Sequence, residues 1–256
     1  MTDDFSTVTE LEGNQAHLEQ LRVILTRYEL ARRTAGTGAV LEAACGSGRG
    51  LAYLAETAER VVGGDYTMAL VEAARRHYQG RIPVLRLDAH RLPFADASFD
   101  AVLCFEALYY FADADAFFRE ARRVLRPGGK LVLSSSNREW EGCIPSPYST
   151  RYLSALELEQ SLSKLGFKAS LYAGFPAAVS EQRGVLSRLR RLASRSGLMP
   201  KTMVGKAFLK RLFYGPLRRL GPEIDTDIPV EPLIPWSSSS GPVLSHKLIY
   251  AVAERE

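Results

Sequence analysis

One stretch constrains this chain more than any other: Ala39-Val40-Leu41-Glu42-Ala43-Ala44-Cys45-Gly46-Ser47-Gly48-Arg49-Gly50. A short apolar run ends in an acid, a turn of small residues follows, and a helical pattern starts at Leu51. The order is strand, tight turn, helix. Glycine lacks a Cβ and takes positive φ, so such a turn lets a ligand approach the backbone closely. The first N–H groups of the following helix have no intrahelical partner and can face a polar ligand.

The pattern repeats in outline. Strands are expected over 39–44, 60–64, 82–87, 99–105, 130–134, 167–173 and 248–253. Helices are expected over 14–33, 49–58, 68–78, 113–125 and 154–165, with Ser154 as an N-cap and Gly166 as a C-terminal stop. In 113–125, Ala114, Phe117, Phe118, Ala121 and Leu125 recur at helical spacing. Arg126-Pro127-Gly128-Gly129 should stop that helix, and 221–242, rich in Pro and Ser, should be loop. Strands alternating with helices predict right-handed βαβ units and a mostly parallel sheet with helices on both faces. Ligands of such sheets bind at the carboxyl ends of the strands. Glu42, Asp65, Asp88 and Glu106 all fall there, and core packing does not explain four acids on one rim.

Asp65 lies 19 residues after Gly46. An acid at about that distance from a glycine turn suits a ribose, because a carboxylate accepts from both hydroxyls. A nucleoside-containing cofactor is therefore expected. A dinucleotide fingerprint needs G-x-G-x-x-G. Here the third position is Leu51 counted from Gly46, or Arg49 counted from Ala44. The spacing Ala44-x-Gly46-x-Gly48 behind an acid suits a ligand bearing an ammonium group better than a pyrophosphate. No Walker lysine follows.

With these residues the chain resembles the class I S-adenosylmethionine-dependent methyltransferases, in the small-molecule group that includes the ubiquinone/menaquinone-type C-methyltransferases. The resemblance rests on Val40–Gly48, Gly64-Asp65, the run from Leu87 to Phe94, Ser98-Phe99-Asp100, and the run from Glu120 to Gly129. It implies a Rossmann-like sheet of seven strands with a reversed last strand. It also implies S-adenosylmethionine as cofactor. Glu42, Ala44, Cys45, Gly46 and Gly48 would then border its methionine end, with Phe105 beside them. Asp65 would hold the ribose, Tyr66 or Met68 would lie against the adenine, and Asp88 and the Ala89 N–H would meet the ring. The departure is Ala44, where the family usually has Gly; its methyl narrows the turn and bears on cofactor affinity.

Methyl transfer from a sulfonium requires an in-line nucleophile, orientation and exclusion of water. A base is needed only when the acceptor must lose a proton. Glu106 could be that base, and Tyr109 or Tyr110 could orient the acceptor. The competing reading makes Glu106 a helix cap or a water-mediated cofactor contact, and the tyrosines pocket wall. Asp88 could instead cap a turn. Cys45 reads as a small buried residue and His90 as a loop residue. The three cysteines suggest neither a disulfide framework nor a metal site, and no other divalent-metal constellation stands out. Motifs for amino methylation of nucleic acid and for cytosine C5 attack are absent.

Charge divides the chain unevenly. Residues 183–219 hold eleven Lys and Arg and no Asp or Glu, although the whole chain has 33 bases and 29 acids. Acids therefore outnumber bases in the remainder. This basic segment fits an anionic membrane surface, an acidic partner such as an acyl carrier protein, or a lid or dimer face with solvated charges. Few aromatics interleave its bases, which argues against nucleic acid. The expected organisation is one domain over 1–256. It has an N-terminal helical lid at 1–37, a cofactor-binding core at 38–136 and a basic helical or loop insertion at 176–243. No signal peptide or 20-residue apolar run is present, and the expected location is cytoplasmic or peripheral at a membrane. The expected function is methyl transfer to a small-molecule or lipid-like acceptor. The alternative is a non-catalytic S-adenosylmethionine-binding protein that meets an acidic partner or membrane through 183–219.

Overall fold

The computed structural model describes residues 4–7, 9–146, 148–177 and 217–256. Alternation of side chains along the strands builds two cores, because successive residues face opposite sides of a sheet. In β2 (Ala39–Ala43), Leu41 belongs to the core that also holds Phe117, Phe118, Leu158 and Leu162, while its neighbour Val40 belongs to the one that holds Leu21, Ile24, Leu51 and Val71. Every residue of β2 is buried, as expected of a central strand covered on both faces.

In chain order, β1 (Gln15–His17) and α1 (Leu18–Ala35) precede β2. Then come α2 (Leu51–Ala55), β3 (Arg60–Asp65), α3 (Met68–Tyr78), β4 (Val84–Arg86), β5 (Phe99–Phe105), α4 (Ala114–Val124) and β6 (Leu125–Ser136). They are followed by α5 (Ala155–Lys164), β7 (Phe167–Pro176), β8 (Leu217–Arg219), β9 (Ile234–Trp236) and β10 (His246–Arg255). The main sheet runs β4-β3-β2-β5-β6-β10-β7-β9. The first five strands are mutually parallel, and β10 lies antiparallel between β6 and β7. This is the expected Rossmann-like sheet with its reversed last strand. An eighth strand, the three-residue β9, extends the edge beyond β7. It falls within 221–242, where only loop was expected. Pro235 sits in it, a residue that an edge strand tolerates because one side of the strand needs no ladder donor.

Local chemistry accounts for most boundaries. The α5 N-terminus is a capping box: the Glu157 N–H donates to Ser154 Oγ, and the Ser154 N–H donates to the Glu157 carboxylate at 2.7 Å. The first helix was expected over 14–33, yet it begins at Leu18. His17 and Gln20 cap it reciprocally, and Gln15–His17 pairs antiparallel with Leu217–Arg219. That partner is 200 residues away, so the local helical periodicity carried no sign of it. Gly128 takes φ +74, and α4 stops at Val124, but the 126–129 segment joins the strand that follows.

Residues 178–216 lie outside the described residues, and with them most of the basic segment 183–219 and much of the expected insertion. Among the described residues, no helix is long and apolar enough to cross a membrane.

Candidate functional site

The parallel strands all point their carboxyl ends the same way, so acids placed at those ends must meet. Glu42 lies one residue before the end of β2, Asp65 ends β3, Asp88 follows β4 and Glu106 follows β5. All four line one cavity of about 400 Å3. Its floor is the glycine turn. Ala44, Gly46 and Gly48 take φ of +62°, +59° and +79°, so alternate residues of the turn are left-handed. Glycine adopts this region freely, whereas an L-alanine does so at a cost.

Asp65 holds this turn. Its Oδ2 accepts from the Gly46 N–H at 2.9 Å and its Oδ1 from the Thr67 N–H at 2.8 Å. The side chain is buried, which pushes its carboxyl up, while the same backbone donors pull it back. Beside it Glu42, only 2% exposed, accepts a 2.6 Å hydrogen bond from the Tyr28 hydroxyl of α1. Burial pushes Glu42 up to about 7. Its Oε2 has no partner among the described residues. Tyr28 reaches this place because Gly50 lacks a side chain; a Cβ there would overlap the tyrosine ring.

At the opposite side of the floor, Asp88 Oδ1 accepts from the His90 backbone N–H at 2.9 Å and from His90 Nδ1 at 2.7 Å. The Asp113 N–H donates to His90 Nε2, which leaves the proton on Nδ1. Asp88 thus does cap a turn, and although partial burial pushes its carboxyl up, the bonds to His90 together hold it below the usual carboxylate value. Both Asp88 and Ala89 still face the cavity, as do Tyr66 and Leu87.

The third wall starts at Glu106, itself at φ +50°. Its Oε2 accepts from the Ser136 hydroxyl at 2.9 Å and from the Tyr109 hydroxyl at 3.4 Å. Burial pushes its carboxyl up, opposed first by the nearby Arg27 charge. Tyr109 and Tyr110 meet edge to face at 4.6 Å, and Tyr109 stacks on Tyr152 at 4.4 Å. An apolar, aromatic wall with one buried carboxyl is suited to holding a substrate away from water while accepting a proton.

Of the residues singled out from the sequence, Glu42, Ala44, Cys45, Gly46, Asp65 and Tyr66 line the cavity, as do Asp88, Ala89, Phe105, Glu106, Tyr109 and Tyr110. Gly48 and Met68 do not. The Gly48 carbonyl faces away and accepts from the Tyr78 hydroxyl at 2.6 Å, and Met68 opens α3 with its side chain exposed. Burial pushes the Cys45 thiol well up, in keeping with a packed rather than a reactive residue. Sequence reasoning missed Phe5, Thr9, Glu10, Arg27, Arg49 and His90, which also line it. One signal was there to be read: Arg27 is three residues after Ile24, on the apolar stripe of α1, where a charge needs a reason to be buried.

The sheet order, the glycine turn and the acids on its neighbouring strand ends define a Rossmann-like methyltransferase fold. Residues 41–133 match the family model for a methyltransferase domain. A "probable S-adenosylmethionine-dependent methyltransferase" of Mycolicibacterium smegmatis is 39% identical over 143 residues, which is 54% of this chain and 55% of that protein. A phthiotriol/phenolphthiotriol dimycocerosates methyltransferase of Mycobacterium ulcerans is 38% identical over 51% of this chain and 49% of its own length. The chain therefore spans about half the length of these curated relatives. Among solved structures, a methyltransferase from Thermotoga maritima matches with a TM-score of 0.58 at 17% identity, over 93% of this chain and 92% of its own. That likeness concerns the fold.

Proposed function

We propose that this protein transfers a methyl group from S-adenosylmethionine to a small-molecule or lipid-like acceptor. The observation that carries the reading is the convergence of Glu42, Asp65, Asp88 and Glu106 on one cavity floored by the left-handed turn at Ala44–Gly48. The residues fit the cofactor. Glu42 brings a carboxylate oxygen without a partner among the described residues, suited to an ammonium group. Asp65 sits where a ribose would reach its carboxylate, and Tyr66 and Leu87 offer an apolar slot for a base. The lipid-like acceptor is favoured by the aromatic wall and by the phthiotriol-type substrate in the name of the M. ulcerans relative.

When bound, S-adenosylmethionine supplies an electrophilic methyl group on a positively charged sulfur. The protein supplies position and dryness. Asp65 would hold the ribose and Glu42 the methionine ammonium, with Phe105 closing the space beside the methionine end. Tyr109 and Tyr110 orient the acceptor across from it. Glu106 takes the proton of a hydroxyl or amine acceptor; its raised pKa lets it hold that proton once accepted. Positioning of this kind accounts for much of the rate of a bimolecular displacement.

Calorimetry with S-adenosylmethionine and S-adenosylhomocysteine tests the binding half. Incubation with labelled cofactor and a lipid and metabolite extract, read as a methyl mass shift, tests the transfer half. Micromolar binding with a methylated product is expected. Binding without product over a broad extract would favour a non-catalytic binding protein, and absence of binding would overturn the reading.

A further inference from the structure

The cavity carries two buried cations that the methyl-transfer reading leaves without work. Arg27 comes from α1 and is 8% exposed; Arg49 comes from the turn before α2 and is 6% exposed. Both line the cavity beside Glu42. A guanidinium carries five N–H donors, and burying it without partners is costly. Arg49 spends Nε on the Gly221 carbonyl and one terminal nitrogen on the Glu223 carbonyl, at 3.0 and 3.1 Å. Its other terminal nitrogen, Nη1, is buried with no partner among the described residues. Arg27 donates through Nη2 to the Glu10 carboxylate at 2.7 Å, and its Nε is likewise buried without a partner. Glu42 and Glu106 attract Arg27 electrostatically without pairing with it. Each arginine thus keeps one buried donor without a partner among the described residues, and the Glu10 carboxylate is hydrogen-bonded to Arg27.

That carboxylate belongs to the irregular segment before β1. Residues 4–7 and 9–13 run across the cavity mouth. The Phe5 N–H donates to Thr67 Oγ1 at 3.2 Å, and the Phe5 ring meets Tyr110 at 5.2 Å. The Thr9 methyl stands directly over Gly46, where a Cβ would come within 2.9 Å of it. Glu10 keeps substantial exposure, with 36% of its side chain open to solvent. The segment thus covers the floor of the cofactor cavity and places an acid on its buried cation.

We propose that Arg27 and Arg49 form a clamp for the α-carboxylate of the cofactor, and that Glu10 fills that clamp when the cofactor is away. This rests on the S-adenosylmethionine reading. The cofactor carries one carboxylate and one ammonium on the same carbon. Two guanidiniums next to the partnerless oxygen of Glu42 are the complementary set. Entry of the cofactor then exchanges one carboxylate for another on Arg27, so the buried cation is never left unpaired. The segment carrying Glu10 yields as the floor is occupied, and no covalent step is involved.

Calorimetry on the full chain with two ligands tests this. One is S-adenosylmethionine; the other is its decarboxylated analogue, which keeps the ammonium and sulfonium but lacks the carboxylate. The wild-type protein should bind the analogue at least about tenfold more weakly, as expected for loss of a charge-assisted hydrogen-bond pair. Arg27→Gln should remove most of that preference by weakening S-adenosylmethionine alone. Glu10→Gln, at a partly exposed site that leaves the fold intact, should tighten S-adenosylmethionine by about threefold to tenfold and leave the analogue unchanged. Equal affinity of the wild type for both ligands would overturn the clamp. Weaker S-adenosylmethionine binding in Glu10→Gln would make Glu10 a clasp over the bound cofactor, which also overturns the exchange. Failure of the wild type to bind either ligand would instead remove the cofactor reading beneath it.

Discussion

The two walls of the cavity satisfy their acids in different ways. On the proposed cofactor wall, Asp65 is held by the Gly46 and Thr67 backbone N–H groups, and Asp88 by the His90 N–H together with the His90 ring, all within a few residues of a turn. On the opposite wall Glu106 is held by side chains, the Ser136 and Tyr109 hydroxyls, and its Oε1 has no partner among the described residues. A carboxylate clasped by backbone is fixed wherever the turn forms. One held by hydroxyls from separate elements can exchange them for a ligand. In the proposed reading, the cofactor wall is built to be constant and the acceptor wall to be responsive.

The sharpest test of that difference is Glu106→Gln. The amide still accepts from Ser136 and Tyr109, so the wall should keep its shape, yet it no longer takes up a proton. Removal of a positioned base typically costs about a hundredfold or more, so kcat should fall by that order while cofactor affinity holds. In the wild type, kcat/KM should climb with pH as the burial-raised Glu106 ionises, and the variant should lose that limb. An unchanged rate would make Glu106 part of the wall only. Asp65→Ala probes the other side. It strips two buried N–H groups of their acceptor, so cofactor affinity should drop by more than about tenfold, and stability by roughly 2 kcal/mol in a chemical denaturation curve. A drop in kcat with affinity intact would erase the contrast between the walls.

The same contrast explains what could be read in advance. The cofactor wall is written in short spacings: the turn at Ala44–Gly48, Asp65 19 residues past Gly46, Asp88 at the next strand end. βαβ topology converts such spacings into proximity, because every strand end reaches the same rim. The seven main strands and the five helices of the described residues were legible for that reason, with α3 and β5 recovered to the residue. β1 and β8 were not, since each three-residue strand depends on a partner 200 residues distant. β9 was hidden by Pro235 within it and by the prolines and serines on either side. Arg27 and Glu10 went unnoticed as a pair because their 2.7 Å contact joins a helix to an irregular segment with no periodic pattern. Gly48 was counted with the cofactor-facing residues on the family resemblance, yet it does not line the cavity and its carbonyl is taken by Tyr78. Spacing identifies the turn but not which face of it each residue presents.

Glu42 lies between the two walls and predicts a pH signature. Its folded pKa, raised to about 7 by burial, exceeds its unfolded value of 4.5. Below pH 4.5 it is protonated in both states and contributes nothing to pH dependence. Between 4.5 and 7 the folded state binds more protons than the unfolded, so stability falls as pH rises, and above 7 the loss is complete. Glu42→Gln keeps an acceptor for the Tyr28 hydroxyl and removes the charge. It should therefore raise the stability of the ligand-free protein at pH 8 by roughly 1–3 kcal/mol, with no gain at pH 4. The same variant should weaken binding of the ammonium-bearing cofactor, most strongly above pH 7. Gains in stability and affinity together would show that Glu42 does not face the ligand.

The smallest effect comes from Ala44, where the backbone of the cofactor wall departs from comfort. At φ +62° an alanine pays for its methyl, by about 1–2 kcal/mol in the left-handed region. Glycine would lift that strain but would loosen the unfolded chain, at about 0.5–1 kcal/mol. Ala44 also packs against the larger core, and a glycine would forgo that contact. The first effect outweighs the others only narrowly. Ala44→Gly should thus raise the melting temperature by about 1–3 °C, and because the turn is already held by Asp65, cofactor affinity should change by less than about threefold. A larger gain in affinity would mean that the methyl obstructs the ligand directly. A loss of stability would mean that its packing outweighs its strain, and that the turn owes its shape to the core as much as to the Asp65 clasp.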